Sequence, residues 1–240
     1  MSRQAPVQRP LPAVASAPYP WPFAGDLAGE RLAVVVAGAQ AWAFACCDQP
    51  GDTLAVVQRT AAHARAAGAL VVWVAHRRPA GRATRDGGAT RTGRAWTLPE
   101  EGSPGARLAV SPAPGDVVVG AGGVDGFYSG PLDDVLRAGR RTMVVLAGAG
   151  LETLVHSTLR SANDRGYECL TLADGTAAWD RGLAGAALSS ICMSGGIFGA
   201  VATSDALVDA LDALDALDPP SARLAGPPAS PMELPCPSPS

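Results

Sequence analysis

Apolar and polar positions alternate in blocks along this chain. Leu32–Val36 is an unbroken apolar run rich in β-branched residues, and Ala69–Ala75 is another. Runs of that length, bounded by turn residues, predict strands buried on both faces. Between them Thr53–Ala67 carries a helical pattern that starts near Asp52 and stops at Gly68. The same alternation continues. Strands are predicted at 116–119, 142–146, 167–172 and 198–201, and helices at 131–138, 151–165, 184–193 and 204–217. Residues 77–105, rich in Gly, Arg, Pro and Thr, read as loop, as do residues 41–52. Strands alternating with helices predict an α/β fold: a three-layer α/β/α sandwich around a mainly parallel sheet. Ligands in such folds sit beyond the C-terminal strand ends, so the residues after Val36, Ala75, Val119 and Leu146 carry the interest.

The last helix sets Asp205, Asp209, Asp212 and Asp215 among Leu207, Leu211, Leu214 and Leu217, the pattern of one apolar and one solvated face. The ends differ in composition. Six prolines fall in residues 1–22, and eight in 219–240. They mark a Pro-rich N-terminal arm and a disordered Pro-rich tail around one domain, 23–218.

All 19 basic residues are Arg. A chain without Lys has neither a P-loop nor a Schiff-base mechanism. Its Ala, Gly, Pro and Arg bias is that of a GC-rich bacterial genome. The net charge of −3 and the absence of a basic cluster argue against nucleic acid, the Arg-rich stretch 77–94 being the one to inspect. The longest apolar runs have about eight residues, too short for a membrane span of roughly 18–20. Five cysteines in irregular positions, an odd count, read as reduced thiols in a cytoplasmic protein. Neither these nor the three histidines have metal-site spacing, so no metal and no cofactor is expected.

Ala147-Gly148-Ala149-Gly150 begins like a dinucleotide-binding turn, but Thr153 stands where the third small residue belongs. His156 and Ser157, adjacent on a helix, point about 100° apart and form no dyad. Cys46 and Cys47 follow the first strand without an identifiable base.

Several strings are specific. They are Tyr19-Pro-Trp-Pro-Phe23, Pro114-Gly-Asp-Val117, Gly126-Phe127-Tyr128, His156-Ser-Thr158, Ala162-Asn-Asp-Arg-Gly-Tyr-Glu-Cys169 and Gly195-Gly-Ile-Phe-Gly-Ala-Val201. Through them the chain resembles the isochorismatase-like cysteine hydrolases, most nearly the biuret amidohydrolase and N-carbamoylsarcosine amidase type, over residues 19–212. The resemblance implies an Asp general base, a charge-bearing Lys and a Cys nucleophile that attacks an amide or ureido carbonyl. Counting from the matching strings, those positions hold Gly38, Ala121 and Leu154. The usual Thr beside the nucleophile turn is Leu151, and the biuret-type Gln is Ser194, while Gln40 is retained.

The resemblance therefore implies a catalytically inactive pseudoenzyme, a binding subunit that forms homo-oligomers or hetero-oligomers with an active homologue. Its expected pocket is lined by Gln40, His76, Phe127, Leu151 and Ser194, and suits a small neutral ureido or amide ligand. The alternative is an amidohydrolase with relocated groups: Cys46 or Cys47 as thiol, His76 as base and Asp48 as orienting carboxylate.

Overall fold

The computed structural model describes residues 12–78 and 98–217. The proposed tail, and most of the Arg-rich stretch, lie outside the described residues. Six strands form one sheet: β1 (Leu32–Ala37), β2 (Leu70–His76), β3 (Val117–Ala121), β4 (Met143–Ala149), β5 (Glu168–Ala177) and β6 (Ala200–Ala202). All are parallel, in the order β3-β2-β1-β4-β5-β6. The expected α/β fold is the observed one.

The continuous apolar runs make sense in this setting. Every residue of β1 and β4 is buried, because helices cover both faces. Leu32, Val34 and Val36 pack towards α2 (Thr53–Ala66) and α6 (Ser204–Leu217). Ala33, Val35 and Ala37 pack towards α3 (Leu132–Ala138), α4 (His156–Asp164) and α5 (Arg181–Gly196). Edge strand β6 is not left open. Ala17 of the arm pairs antiparallel with Val201, and Val14 and Trp21 are fully buried. The arm from residue 12 onward thus covers a sheet edge, which otherwise invites association.

Local differences from the sequence reading have physical causes. A short helix, α1 (Ala41–Ala45), forms where loop was expected; five residues without a side-chain cap carry too little signal. α5 begins at Arg181, because Asp180 caps it by accepting from the Gly182 amide at 2.8 Å, before the apolar pattern starts. Its helical geometry breaks at Met193–Gly195. The helix expected over 151–165 opens with five residues of π-helix, Leu151–Val155.

The Gly148–Gly150 turn serves packing. A Cβ on Gly148, at φ +120°, would lie 1.9 Å from the Ala37 carbonyl oxygen. One on Gly150 would lie 3.0 Å from the Trp179 ring. Glycine here lets β4 approach β1 and Trp179, rather than a phosphate.

Candidate functional site

The chain runs β1, β2, β3 outward and then returns to place β4 on the other side of β1. The switch point of the sheet is therefore the pair of C-terminal ends of β1 and β4. Gly38 leaves β1 there with φ +63°. A Cβ on it would sit 2.6 Å from the Ala149 carbonyl oxygen and 2.8 Å from Leu154 Cδ1. Two positions expected to hold a base and a nucleophile are thus in contact, as backbone glycine and buried leucine. Ala121, the third, ends β3 and pairs in register with His76. Gly38's neighbours Ala37 and Leu154 belong, with Ala121, Phe127 and Leu151, to one buried apolar cluster.

That cluster also takes in Trp179, whose indole packs edge-on against Trp42 at 5.5 Å and donates from Nε1 to the Ala43 carbonyl at 3.1 Å. The helix that the sequence did not reveal, α1, therefore supplies both the carbonyl that holds Trp179 and the ring beside it. Side chains of the chain itself occupy the strand-end region.

Gln40 and His76 are buried together. Gln40 Oε1 accepts from the His76 backbone amide at 2.6 Å, and its Nε2 donates to the Ala106 carbonyl at 3.2 Å. Both ends of the amide are engaged in joining β1, β2 and the segment before β3. The His76 ring lies 2.8 Å from the Gly123 carbonyl through Nδ1. A carbonyl only accepts, so Nδ1 carries the hydrogen. Nε2 is buried without a partner among the described residues. Burial pushes the imidazole down to about 4, against the opposing pull of the Gly123 hydrogen bond and the Asp125 charge.

A titration follows from this burial. The unfolded imidazole protonates near about pH 6.5, whereas the folded one resists protonation down to about 4. Between those values the unfolded chain binds a proton that the folded chain rejects. Stability should decline as pH falls through this window, by up to about 3 kcal/mol. His156, also shifted down by burial and by Arg160, adds in the same direction. Urea midpoints measured across the window should show a shallower decline in His76→Gln; an unchanged slope would contradict the assignment.

The five expected pocket residues are not all brought together, Ser194 lying apart from the others. Phe127 is buried, stacked on Tyr167 at 6.1 Å with the Arg165 guanidinium 4.6 Å from its ring centre. Leu151 is buried in the strand-end cluster. Ser194, however, is exposed at the break in α5, at φ +54°. It lines a separate cavity of about 390 Å³ with Tyr19, Phe23 and Tyr167. The reason is topological. α5 returns the chain from the C-terminal to the N-terminal ends of the parallel strands, so its last residues lie at the opposite end of the sheet from Gln40 and His76.

The relocated set is not brought together either. The Cys47 thiol lies within hydrogen-bonding distance of the carbonyls of Ala43 at 3.4 Å and Ala177 at 3.7 Å, which share its single S–H. Burial, together with nearby carboxylates, pushes it up to about 11. Cys46 is also shifted up by burial. Asp48 accepts from the Arg181 amide at 3.1 Å. The His76 ring is engaged with Gly123 and is hydrogen-bonded to neither thiol.

One polar constellation escaped the sequence reading. His156 Nε2 lies 2.7 Å from Ser190 Oγ, a partner 34 residues away that no spacing rule connects to it. Among the described residues, no group of three or more His, Cys, Asp and Glu is placed to hold a metal ion, and no helix is long and apolar enough to cross a membrane.

Known proteins complete the picture. Ureidoacrylate amidohydrolase RutB of Methylobacterium radiotolerans is 44% identical over 68 residues, covering 28% of this chain and 26% of that protein. The RutB of Methylorubrum extorquens is 41% identical over the same length, with 28% and 27% covered. The matches span about a quarter of these relatives. Among solved structures, a cysteine hydrolase from Pseudomonas syringae pv. phaseolicola has a TM-score of 0.64 at 22% identity, covering 85% of this chain and 98% of that one. An isochorismatase family protein from Burkholderia thailandensis has a TM-score of 0.62 at 24% identity, covering 76% and 96%. Both likenesses establish the shared fold. The profile of the isochorismatase domain matches residues 33–206, most of the chain and all but the end of its sheet-and-helix body, and the protein therefore belongs to the isochorismatase family.

Proposed function

We propose that this chain is a non-hydrolytic member of the family, acting as a partner subunit in homo-oligomers or beside an active homologue. The observation that carries this reading is the contact at the switch point. Gly38 leaves its own Cβ position filled by the Ala149 carbonyl and Leu154. A general base needs a titratable atom within hydrogen-bond reach of the reacting group, and a nucleophile needs a lone pair there. Glycine, alanine and leucine have neither. The engaged Trp179, Leu151 and Leu154 also leave the neutral ureido or amide ligand without the pocket that Gln40, His76, Phe127 and Ser194 were expected to form. Nothing in the geometry favours Cys46 or Cys47 as a replacement nucleophile.

The experiment is an ammonia-release assay on ureidoacrylate, biuret and N-carbamoylsarcosine, with Cys46→Ala/Cys47→Ala alongside. No release above the blank is expected from either protein. Release above the blank overturns the reading, and its loss in the double variant would locate the nucleophile.

A further inference from the structure

A cleft of about 420 Å³ opens between the π turn with α4 on one side and α5 on the other. That volume is typical of small-molecule sites. Glu152, His156 and Arg160 follow at four-residue intervals on its polar wall, with Ser157 beside them; Leu183 and Ala187 face them from α5.

The polar atoms form an ordered relay. Arg160 Nε donates to His156 Nδ1 at 3.1 Å. An Nδ1 that accepts has no hydrogen, so the neutral ring carries it on Nε2 and donates to Ser190 Oγ. The Ser190 hydroxyl in turn donates to the Ala187 carbonyl at 2.9 Å. This polarity excludes His156 as a base for Ser190, since its Nε2 already holds a proton. It also anchors the arginine. The guanidinium carbon lies 4.2 Å from the Phe198 ring centre, a cation–π contact. One N–H of its five is spent on His156, and among the described residues its terminal nitrogens hydrogen-bond nothing. An exposed arginine otherwise loses side-chain freedom on binding; here two contacts have already fixed it.

At the other end, Glu152 accepts from the backbone amides of Asp180 at 2.7 Å and Trp179 at 3.2 Å. Each carboxylate oxygen keeps a further lone pair. Eight residues of helix separate it from Arg160, about 12 Å along the axis.

We propose that this cleft is a binding site for a small organic carboxylate bearing an N–H hydrogen-bond donor at its far end. The carboxylate takes the two-pronged guanidinium of Arg160, with the Ser157 hydroxyl beside it. The carbon body lies against Leu183 and Ala187, and the N–H group turns towards Glu152. The site is separate from the strand-end cluster and does not depend on the non-hydrolytic reading.

Calorimetric titration of the full chain with N-carbamoylglycine tests it. One saturable site is expected. Removing a charge-assisted pair weakens binding about tenfold or more, so Arg160→Gln should do so. The uncharged N-carbamoylglycinamide should bind the unaltered chain about tenfold more weakly. Ser157→Asp, which loses no side-chain hydrogen bond and sets a like charge at the site, should weaken the acid even if Arg160→Gln fails to fold. No saturable heat at millimolar probe overturns the proposal. So does an unchanged affinity in Ser157→Asp, or equal binding of acid and amide. Ammonia formed in the same cell would overturn the non-hydrolytic reading and leave this site standing.

Discussion

A chain carrying Gly38→Asp, Ala121→Lys and Leu154→Cys together is expected to lose its fold rather than gain a hydrolase activity. At Gly38 the new Cβ meets a backbone oxygen at 2.6 Å, and backbone cannot rotate aside as a side chain can. β1 and β4 would have to part, at the place where Gly148 lets Ala37 approach most closely. Overpacking of that kind costs about 1–3 kcal/mol. Ala121 is fully buried beside His76 in a cluster of apolar side chains. Placing an ammonium there costs several kcal/mol in lost hydration, and the new carboxylate carries a similar cost. Leu154, also fully buried, leaves a void when shortened, adding about 1–3 kcal/mol. The sum rivals the whole stability of an ordinary domain, about 5–15 kcal/mol. Thermal melting followed by circular dichroism should show no cooperative transition. A transition close to that of the unaltered chain, with ammonia release, would mean that the crevice opens readily and that its filling has no functional weight.

Much of this is legible in the amino-acid sequence. Parallel strands buried on both faces have to be apolar throughout, so Leu32–Val36 and Ala69–Ala75 announced themselves, and the alternation with helices announced the sheet. Counting back from Gln40 gives Gly38 and from Ser157-Thr158 gives Leu154, and the two are in contact. What stayed hidden depends on distance in space. The string Gly195–Val201 beside Ser194 points to the pocket, but the return direction of α5 carries Ser194 to the other end of the sheet. In sequence the hydroxyl next to His156 is Ser157, whereas its partner in space is Ser190 on another helix. The filling of the strand ends by Trp179 depends on α1, a helix too short to leave a periodic trace.

The second large effect concerns the thiols. A cysteine nucleophile works as thiolate, and in active sites its pKa is lowered to about 3.5–7.5 by a cationic or hydrogen-bonding neighbour. In this chain the shift goes the other way at each described thiol. Burial pushes up Cys46, Cys47, Cys169 and Cys192 alike, and Cys47 reaches about 11. Near pH 7 a group with that pKa is ionised in only about one part in 10⁴, so its reaction with an alkylating agent is slowed by about that factor relative to a full thiolate. Cys169, fully buried within β5, is further shielded by lack of access. Exposed thiols of ordinary pKa would react faster, so each cysteine has to be read by itself.

The most direct measurement is the rate of iodoacetamide alkylation from about pH 6 to 10, quantified peptide by peptide in the folded chain. It asks for an activated thiol without requiring the right substrate. The account predicts slow modification of Cys46, Cys47, Cys169 and Cys192 near neutral pH, with rates that rise about tenfold per pH unit and, for Cys47, are still rising at about pH 10. Full-rate, pH-independent alkylation of any one of them at pH 6 to 7 would reveal a working nucleophile and contradict the non-hydrolytic account.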